Sequence, residues 1–372
     1  MKHYGHGLVL GDFAPPHAGH HHLVRTARER CERLTVLVCG VSAENLPLAD
    51  RVAWMREIHP DALVVGAVDD SPVGLRDAVP ERVDAVFVAE PYGQSYGQSY
   101  GDELGRRFGA ESVGVDPDRT RFPVSGAAVL ADLAGSWDFL EPPVRAALTR
   151  RVVVLGAEST GTTTMALALA DHYRRRGGVW ARTRYVPEYG REYRALKLAE
   201  LRAERPGATR SDVTLRSSDF PVIARRQAEL EEEAAHDGSP VLVCDTDAFA
   251  TTIWHERYTG TASAETGEVA AHSRQHLWLL TDHRGVALEN TEGTEGAEGT
   301  AGPAGTAGPA LRDADRLRPW MTARFLTQLA HTGRRTAVLS GPHEERLAAA
   351  VAAVDALLAE SGHLADPLPE RR

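Results

Sequence analysis

Cysteine is scarce in this chain: three residues, Cys31, Cys39 and Cys244, an odd number with no C-x-x-C pair among them. That leaves no obvious disulfide framework or cysteine metal pair. Cys39 and Cys244 end apolar runs and read as buried free thiols of a reducing compartment. Long hydrophobic runs are missing too. Nothing approaches the roughly 18 apolar residues of a membrane span, and Met1-Lys2-His3-Tyr4-Gly5-His6 lacks an apolar signal core. Excess positive charge is absent as well. The formal net charge is −10 at pH 7, which argues against a nucleic-acid surface. The expectation is a cytoplasmic protein without membrane or nucleic-acid partners; a homo-oligomer stays open.

What is present is the composition of a folded α/β protein. The chain has 372 residues, 42% hydrophobic and 25% charged, and at roughly 100–200 residues per domain two domains are expected. Short apolar runs at 8–10, 34–38, 63–65 and 83–88 read as strands, with helices over 20–33, 49–58 and 100–108. A second cycle has strands at 152–155, 241–244, 277–280 and 336–339 and helices over 163–176, 223–236, 320–332 and 344–361. Near-continuous apolar strands between helices indicate parallel sheets covered on both faces. The reading is α/β: two doubly wound parallel-sheet domains over 1–138 and 151–362, a linker at 139–150 and a tail at 363–372. In the linker Pro142-Pro143 disfavours a continuous helix. A tandem repeat at 92–101 and a Gly/Thr/Glu/Ala/Pro tract at 291–310 read as tolerant surface loops.

Two phosphate-handling motifs lie about 140 residues apart. Each follows a strand and opens a helix, which aims backbone N–H groups at an anion. In the first, Gly11-Asp12-Phe13-Ala14-Pro15-Pro16-His17-Ala18-Gly19-His20, Gly11 allows a close turn, Phe13 and Pro15 fix the loop, and His17 and His20 stand at the helix start. Imidazoles there can donate to phosphates whose charge grows during nucleotidyl transfer, with Mg²⁺ assisting. The second, Gly156-Ala157-Glu158-Ser159-Thr160-Gly161-Thr162-Thr163-Thr164, has P-loop spacing, but Thr162 stands at the lysine position. Thr163 keeps the hydroxyl that serves Mg²⁺, and another cation would have to replace the lysine. The strand at 241–244 ends in Asp245-Thr246-Asp247, acids suited to Mg²⁺ or to a hydroxyl proton, or else to an Asx cap of the next helix. Pro187-Glu188-Tyr189-Gly190-Arg191-Glu192-Tyr193 mixes acids, a guanidinium and aromatics that suit a sugar and a flat ring.

The first motif resembles the HxGH nucleotidylyltransferase superfamily. The order of all motifs is narrower. HxGH, then a loop beginning Gly-x-Glu-Ser, then Glu-Tyr-Gly-Arg-Glu, then Ser218-Asp219-Phe220-Pro221 with Gln227, then Asp-Thr-Asp resembles the bifunctional nicotinamide-nucleotide adenylyltransferase / ribosylnicotinamide kinase family of the NadR type. The resemblance covers about residues 7–355. It implies a Rossmann-like transferase domain followed by a P-loop kinase domain. The kinase would phosphorylate nicotinamide riboside with ATP to nicotinamide mononucleotide (NMN). The transferase would join NMN to AMP from a second ATP, giving NAD and pyrophosphate. Some members carry an N-terminal helix-turn-helix domain, and this chain starts almost at the first catalytic strand.

By the same resemblance, His17 and His20 contact phosphates in the transferase, with Gly11, Phe13 and Ser125 around the ATP, and Trp54 stacks on nicotinamide or simply fills a helix core. Glu158 to Thr164 hold ATP in the kinase, Asp245 or Asp247 serves metal and base, and Glu188, Tyr189 and Arg191 line the riboside site. Two departures stand out. The family's ISxTxxR-like element is Val124-Ser125-Gly126-Ala127-Ala128-Val129-Leu130 here, with Ala127 for Thr and Leu130 for Arg; Arg119 and Arg121 are the nearby substitutes. An acidic Gly-Leu-Arg segment survives only as Leu311-Arg312-Asp313. A kinase with a silent transferase domain, or a nucleotide-binding regulator without turnover, are therefore the alternatives.

Overall fold

The computed structural model describes residues 2–40, 46–68, 75, 77–89, 100–116, 118, 120–286 and 309–360. Almost all of both insert-like segments, and Arg119, lie outside these. The chain divides into two compact units, Met1–Leu148 and Thr149–Leu358.

In the first unit five strands, β1 (Tyr4–Gly11), β2 (Cys31–Cys39), β3 (Leu63–Ala67), β4 (Ala85–Val88) and β5 (Glu111–Gly114), form one sheet in the order β3-β2-β1-β4-β5. All pairings are parallel. The helices are α1 (Ala18–Glu29), α2 (Leu48–Ile58), α3 (Tyr100–Phe108), α4 (Gly126–Ala131) and α5 (Pro142–Leu148). Successive β1 residues feed opposite faces: Val9 packs with Val24, Ala27, Met55 and Phe87, and Leu8 with Leu37, Val86 and Leu104. Both faces of the strand are thus covered, as its unbroken apolar run demands. The order reverses at β1, and in such sheets ligands sit beyond the strand ends at that point.

The second unit repeats the plan with β6 (Arg150–Gly156), β7 (Arg184–Val186), β8 (Val241–Asp245), β9 (Leu277–Thr281) and β10 (Thr336–Leu339), ordered β10-β9-β6-β8-β7 and again parallel. Its helices are α6 (Thr162–Arg174), α7 (Tyr189–Glu204), α8 (Asp219–Asp237), α9 (Ala248–Thr259), α10 (Ala264–Ala271), α11 (Pro309–His331) and α12 (His343–Ala359). Val152 and Val154 of β6 pack against Met165, Leu169 and Tyr173 of α6 and Val354 and Leu357 of α12.

The α/β reading holds, with local corrections. The segment 139–150 is not plain linker: Pro142 and Pro143 open α5, since an N–H is expendable in a helix's first turn. The helix expected over 20–33 stops at Glu29, because β1 recruits the charged start of β2 by pairing Tyr4 with Cys31 and His6 with Arg33. Short or charged elements, β5, β7, α7 and α10 among them, carry little periodicity in the sequence. Cys31 and Cys244 are buried free thiols, whereas Cys39 is half-buried.

The buried polar contacts of the first unit include a histidine pair. His21 Nδ1 and His59 Nε2 share a 2.9 Å hydrogen bond. Burial pushes His21 down to about 2 and His59 to about 4, from an ordinary 6.5; the facing charges are Arg25, Asp61 and Glu141. Above pH 6.5 these imidazoles are neutral whether the chain is folded or not. Below it the unfolded chain binds protons that the folded chain refuses, so stability falls as pH drops from 6.5 towards 4, by about 1.4 kcal/mol per pH unit for each group. The thermal midpoint of this unit is expected to fall over that window, and less steeply in His59→Gln; equal slopes in calorimetry at pH 6.5, 5 and 4 would exclude the pair as the cause.

Candidate functional site

The second unit's site is built on the end of β6. The parallel register sets Gly156 beside Thr281 and Val154 beside Asp245. A Cβ on Gly156 would lie 2.2 Å from Thr281 Oγ1 and 2.5 Å from Thr160 Oγ1, so only glycine fits. The loop then turns through left-handed Ser159 (φ 55°) and Gly161 (φ 83°) into α6. Its inner side is tied down. Thr160 Oγ1 donates to the Ala157 carbonyl at 2.8 Å and shares a 2.7 Å bond with Thr281. Arg346, buried, donates to the carbonyls of Thr160, Asp282 and Gly341 at 3.1, 2.9 and 2.7 Å. The Thr160 side chain, expected at ATP, is therefore a buried pin; only its backbone is left for a ligand.

On the outer side the Thr163 hydroxyl donates to Asp245 Oδ2 at 2.6 Å, and the Tyr185 hydroxyl reaches the same oxygen at 3.2 Å. Burial raises the Asp245 carboxyl above its usual range, opposed by these hydroxyls, by Thr162 and by Arg191. Arg191 Nη2 donates to Thr163 Oγ1 at 2.9 Å and its Nε to Glu188 Oε2 at 2.8 Å. Burial also lifts Glu188, against the pull of Arg191. Tyr189 opens α7 with its N–H on Gln227 Oε1 at 2.9 Å. Asp219 accepts from Tyr193, Lys197 and the Arg216 N–H at 2.9, 2.6 and 2.6 Å, which fastens α7 to α8. Glu158 is engaged by Arg257 at 3.0 Å. Glu188, Arg191, Thr163 and Asp245 thus form one connected cluster, and Tyr189 sits beside it on α7.

Asp247 does not join them. It is fully buried, caps α9 by accepting from the Ala250 N–H at 2.7 Å, and accepts from Trp278 Nε1 at 2.9 Å. Of the two acids, Asp247 is the Asx cap and Asp245 faces the P-loop. Between them Thr246 is held at φ 75°, unusual for a β-branched residue, with its N–H on the Val154 carbonyl at 2.9 Å. Sequence reasoning missed Thr281, Tyr185, Arg257 and Arg346, which reach the site from distant positions in the chain and carry no local signal.

In the first unit His17 precedes α1 in extended conformation. A Cβ on Gly19 would come within 3.2 Å of the His17 ring, so glycine lets that ring fold back. The rings of His17 and His20 stack at 3.7 Å and 24°. Phe13, left-handed at φ 49° and buried, puts its ring edge-on to His20 at 5.0 Å. Arg51, fully buried, donates to the carbonyls of Asp12, Cys39 and Leu46 and so fixes the loop at the ends of β1 and β2. Gly126 abuts this loop: a Cβ there would lie 2.5 Å from the Ala14 carbonyl oxygen. Ser125, expected at ATP, spends its hydroxyl oxygen capping α4, accepting from the Ala128 N–H at 3.1 Å. Ala127 is exposed and Leu130 is buried, so the position of the absent arginine points into the core. Trp54 is buried on α2, which favours its reading as a packing side chain.

Fold and site together define a P-loop α/β protein with a second, Rossmann-like unit. Over residues 151–346, more than half of the chain, the sequence matches the AAA domain family, and the chain belongs to that family. It is 25% identical over 278 residues to the Trifunctional NAD biosynthesis/regulator protein NadR of Salmonella typhimurium. It is 24% identical over 283 residues to the protein of the same name from Escherichia coli (strain K12). Each match covers 68% of this chain, which spans about 63% of the length of either relative. Among solved structures, NadR protein in complex with NR superposes with a TM-score of 0.67 at 18% identity, covering 95% of this chain and 97% of the other. NadR protein in complex with NAD and AMP-PNP gives 0.65 at 19%, covering 96% and 97%. These structural likenesses show the fold.

The cap at α9 makes a separable prediction. Asp247→Ala loses an N-cap and leaves the Trp278 N–H buried without an acceptor, a loss of about 2–4 kcal/mol. Urea unfolding should show the full loss in Asp247→Ala and much less in Asp245→Asn; the reverse order would overturn the assignment of the two acids.

Proposed function

We propose that the chain is a two-site enzyme of NAD biosynthesis. The second unit phosphorylates nicotinamide riboside with ATP, giving NMN and ADP. The first unit transfers the adenylyl group of ATP to NMN, giving NAD and pyrophosphate. The observation that carries the kinase assignment is the Thr163–Asp245 hydrogen bond at the paired ends of α6 and β8, a hydroxyl and a carboxylate where a P-loop protein handles the phosphates of ATP. The similarity to the NadR proteins supports the choice of substrate.

The donor set at this point, one hydroxyl and one carboxylate, is all hard oxygen and suits Mg²⁺, which keeps much of its own water. Thr163 and Asp245 would hold the ion, which would neutralise phosphate charge. The loop's outward N–H groups bind the phosphates while Thr160, Thr281 and Arg346 hold its shape. Glu188 and Tyr189 sit where α7 begins, beside Asp245 through Arg191, and orient the riboside. Asp245 is the acid left to accept a hydroxyl proton, since both oxygens of Asp247 are committed.

In the first unit the stacked pair His17 and His20 donates to phosphate oxygens as charge builds on the departing pyrophosphate. A second reading has a specific observation behind it: Leu130 is buried, so no guanidinium arises from that position, and the transferase could be silent.

Purified protein incubated with nicotinamide riboside, ATP and Mg²⁺ should yield NAD on chromatographic separation. Accumulation of NMN alone would establish the second reading, and no product at all would sink the proposal. His20→Ala should lower NAD formation by at least about 100-fold and spare riboside phosphorylation, whereas Asp245→Asn should do the opposite when NMN is supplied. Loss of both activities in His20→Ala would refute two independent sites.

A further inference from the structure

The P-loop carries a threonine where phosphate charge is normally met by lysine, and the rest of the chain has little lysine to offer. Its lysines are Lys2 and Lys197. Lys2, in the first unit, is engaged with Glu111. Lys197 is bound to Asp219 at 2.6 Å, on the joint between α7 and α8. A permanently charged side chain at the P-loop therefore has to be a guanidinium.

Among the described residues, three arginines touch the loop. Arg346 is buried, and its Nε, Nη1 and Nη2 are spent on the carbonyls of Gly341, Thr160 and Asp282. It shapes the loop from beneath. Arg257 is held by Glu158 and lies over the Tyr258 ring at 4.7 Å, with its side chain only 16% exposed. Arg191 differs from both. Its side chain is 63% exposed, yet its guanidinium is anchored at Thr163, the hydroxyl next to the missing lysine. The bond to Glu188 uses Nε and that to Thr163 uses Nη2, so the guanidinium bridges the start of α7 and the P-loop. Its backbone is set in the first turn of α7, which the Tyr189–Gln227 bond ties to α8.

We propose that Arg191 meets the phosphates of the bound nucleoside triphosphate and supplies the positive charge that the P-loop lacks at Thr162. The family resemblance groups this residue with the riboside; the geometry points to the phosphates, because its partner is the P-loop hydroxyl itself. Guanidinium suits the task, as its planar fork matches phosphate oxygens in pairs. An arriving phosphate competes with Glu188 for the same guanidinium. The inference rests on the kinase reading, from which it takes only the presence of a nucleotide at this loop.

The test is calorimetric titration of the full chain with AMP-PNP and Mg²⁺, and separately with nicotinamide riboside. Arg191→Ala should weaken AMP-PNP binding by about 10- to 100-fold, the usual worth of a hydrogen bond to a charged group, and leave riboside affinity within about twofold. Arg191→Lys should keep part of the loss from appearing. Thr162→Lys placed in the Arg191→Ala background should regain at least about tenfold, since it returns the charge to its ordinary position. Unchanged AMP-PNP affinity in Arg191→Ala, a fall in riboside affinity instead, or no recovery in either charged variant would overturn the assignment. If the unaltered protein bound no AMP-PNP, the kinase reading would fail with it. If the unaltered protein bound AMP-PNP and Arg191→Ala bound it equally, only the role of Arg191 would fall.

Discussion

The 2.6 Å hydrogen bond from Thr163 to Asp245 is the contact on which the second unit's site depends. It exists because β6 and β8 are neighbours in register, so that the helix after one strand starts beside the acid that ends the other. Through Thr163 it reaches Arg191 and Glu188, and through Asp245 it reaches Tyr185. A buried carboxylate is costly unless its oxygens are satisfied. The hydroxyls of Thr163 and Tyr185 meet that demand at Oδ2.

Both units solve the same problem with the same device. A loop that offers its N–H groups to phosphate must turn its carbonyls elsewhere, and those carbonyls need donors. In each unit one buried arginine meets one such carbonyl and ties it to two carbonyls of neighbouring segments. Arg51 collects the carbonyls of Leu46, Asp12 and Cys39; Arg346 collects those of Gly341, Thr160 and Asp282. Burial lowers both guanidiniums from their ordinary value. Glycines complete the arrangement: Gly156 and Gly126 stand where any Cβ would strike an oxygen of the neighbouring segment.

The departures from the family pattern fall differently in the two units. At Thr162 the charge is missing, but the Thr163 hydroxyl, the acid and a nearby guanidinium remain in contact. At Leu130 the side chain has turned inward and become core, which a guanidinium could not do without a buried counter-charge. The stacked pair of His17 and His20 keeps its place regardless, held by Phe13 and by the space at Gly19.

The sequence by itself determined the two α/β cycles, the central strands β1 and β6, and the loops that follow them. Unbroken apolar runs and glycine-bearing turns are local signals, and the residues that carry them are contiguous. Only the tertiary structure decided between Asp245 and Asp247, two residues apart in identical chemistry: one ends at the P-loop, the other turns in to cap α9 and meet Trp278, a partner 31 positions away. Only it brought Thr281 under Gly156, Arg346 under Thr160 and Arg51 under Asp12, and only it moved Thr160 and Ser125 from ligand contact to structural work. The reason is the same in each case. A hydrogen bond between residues far apart in the chain depends on strand order and register, and neither is written in the spacing of the residues that make it.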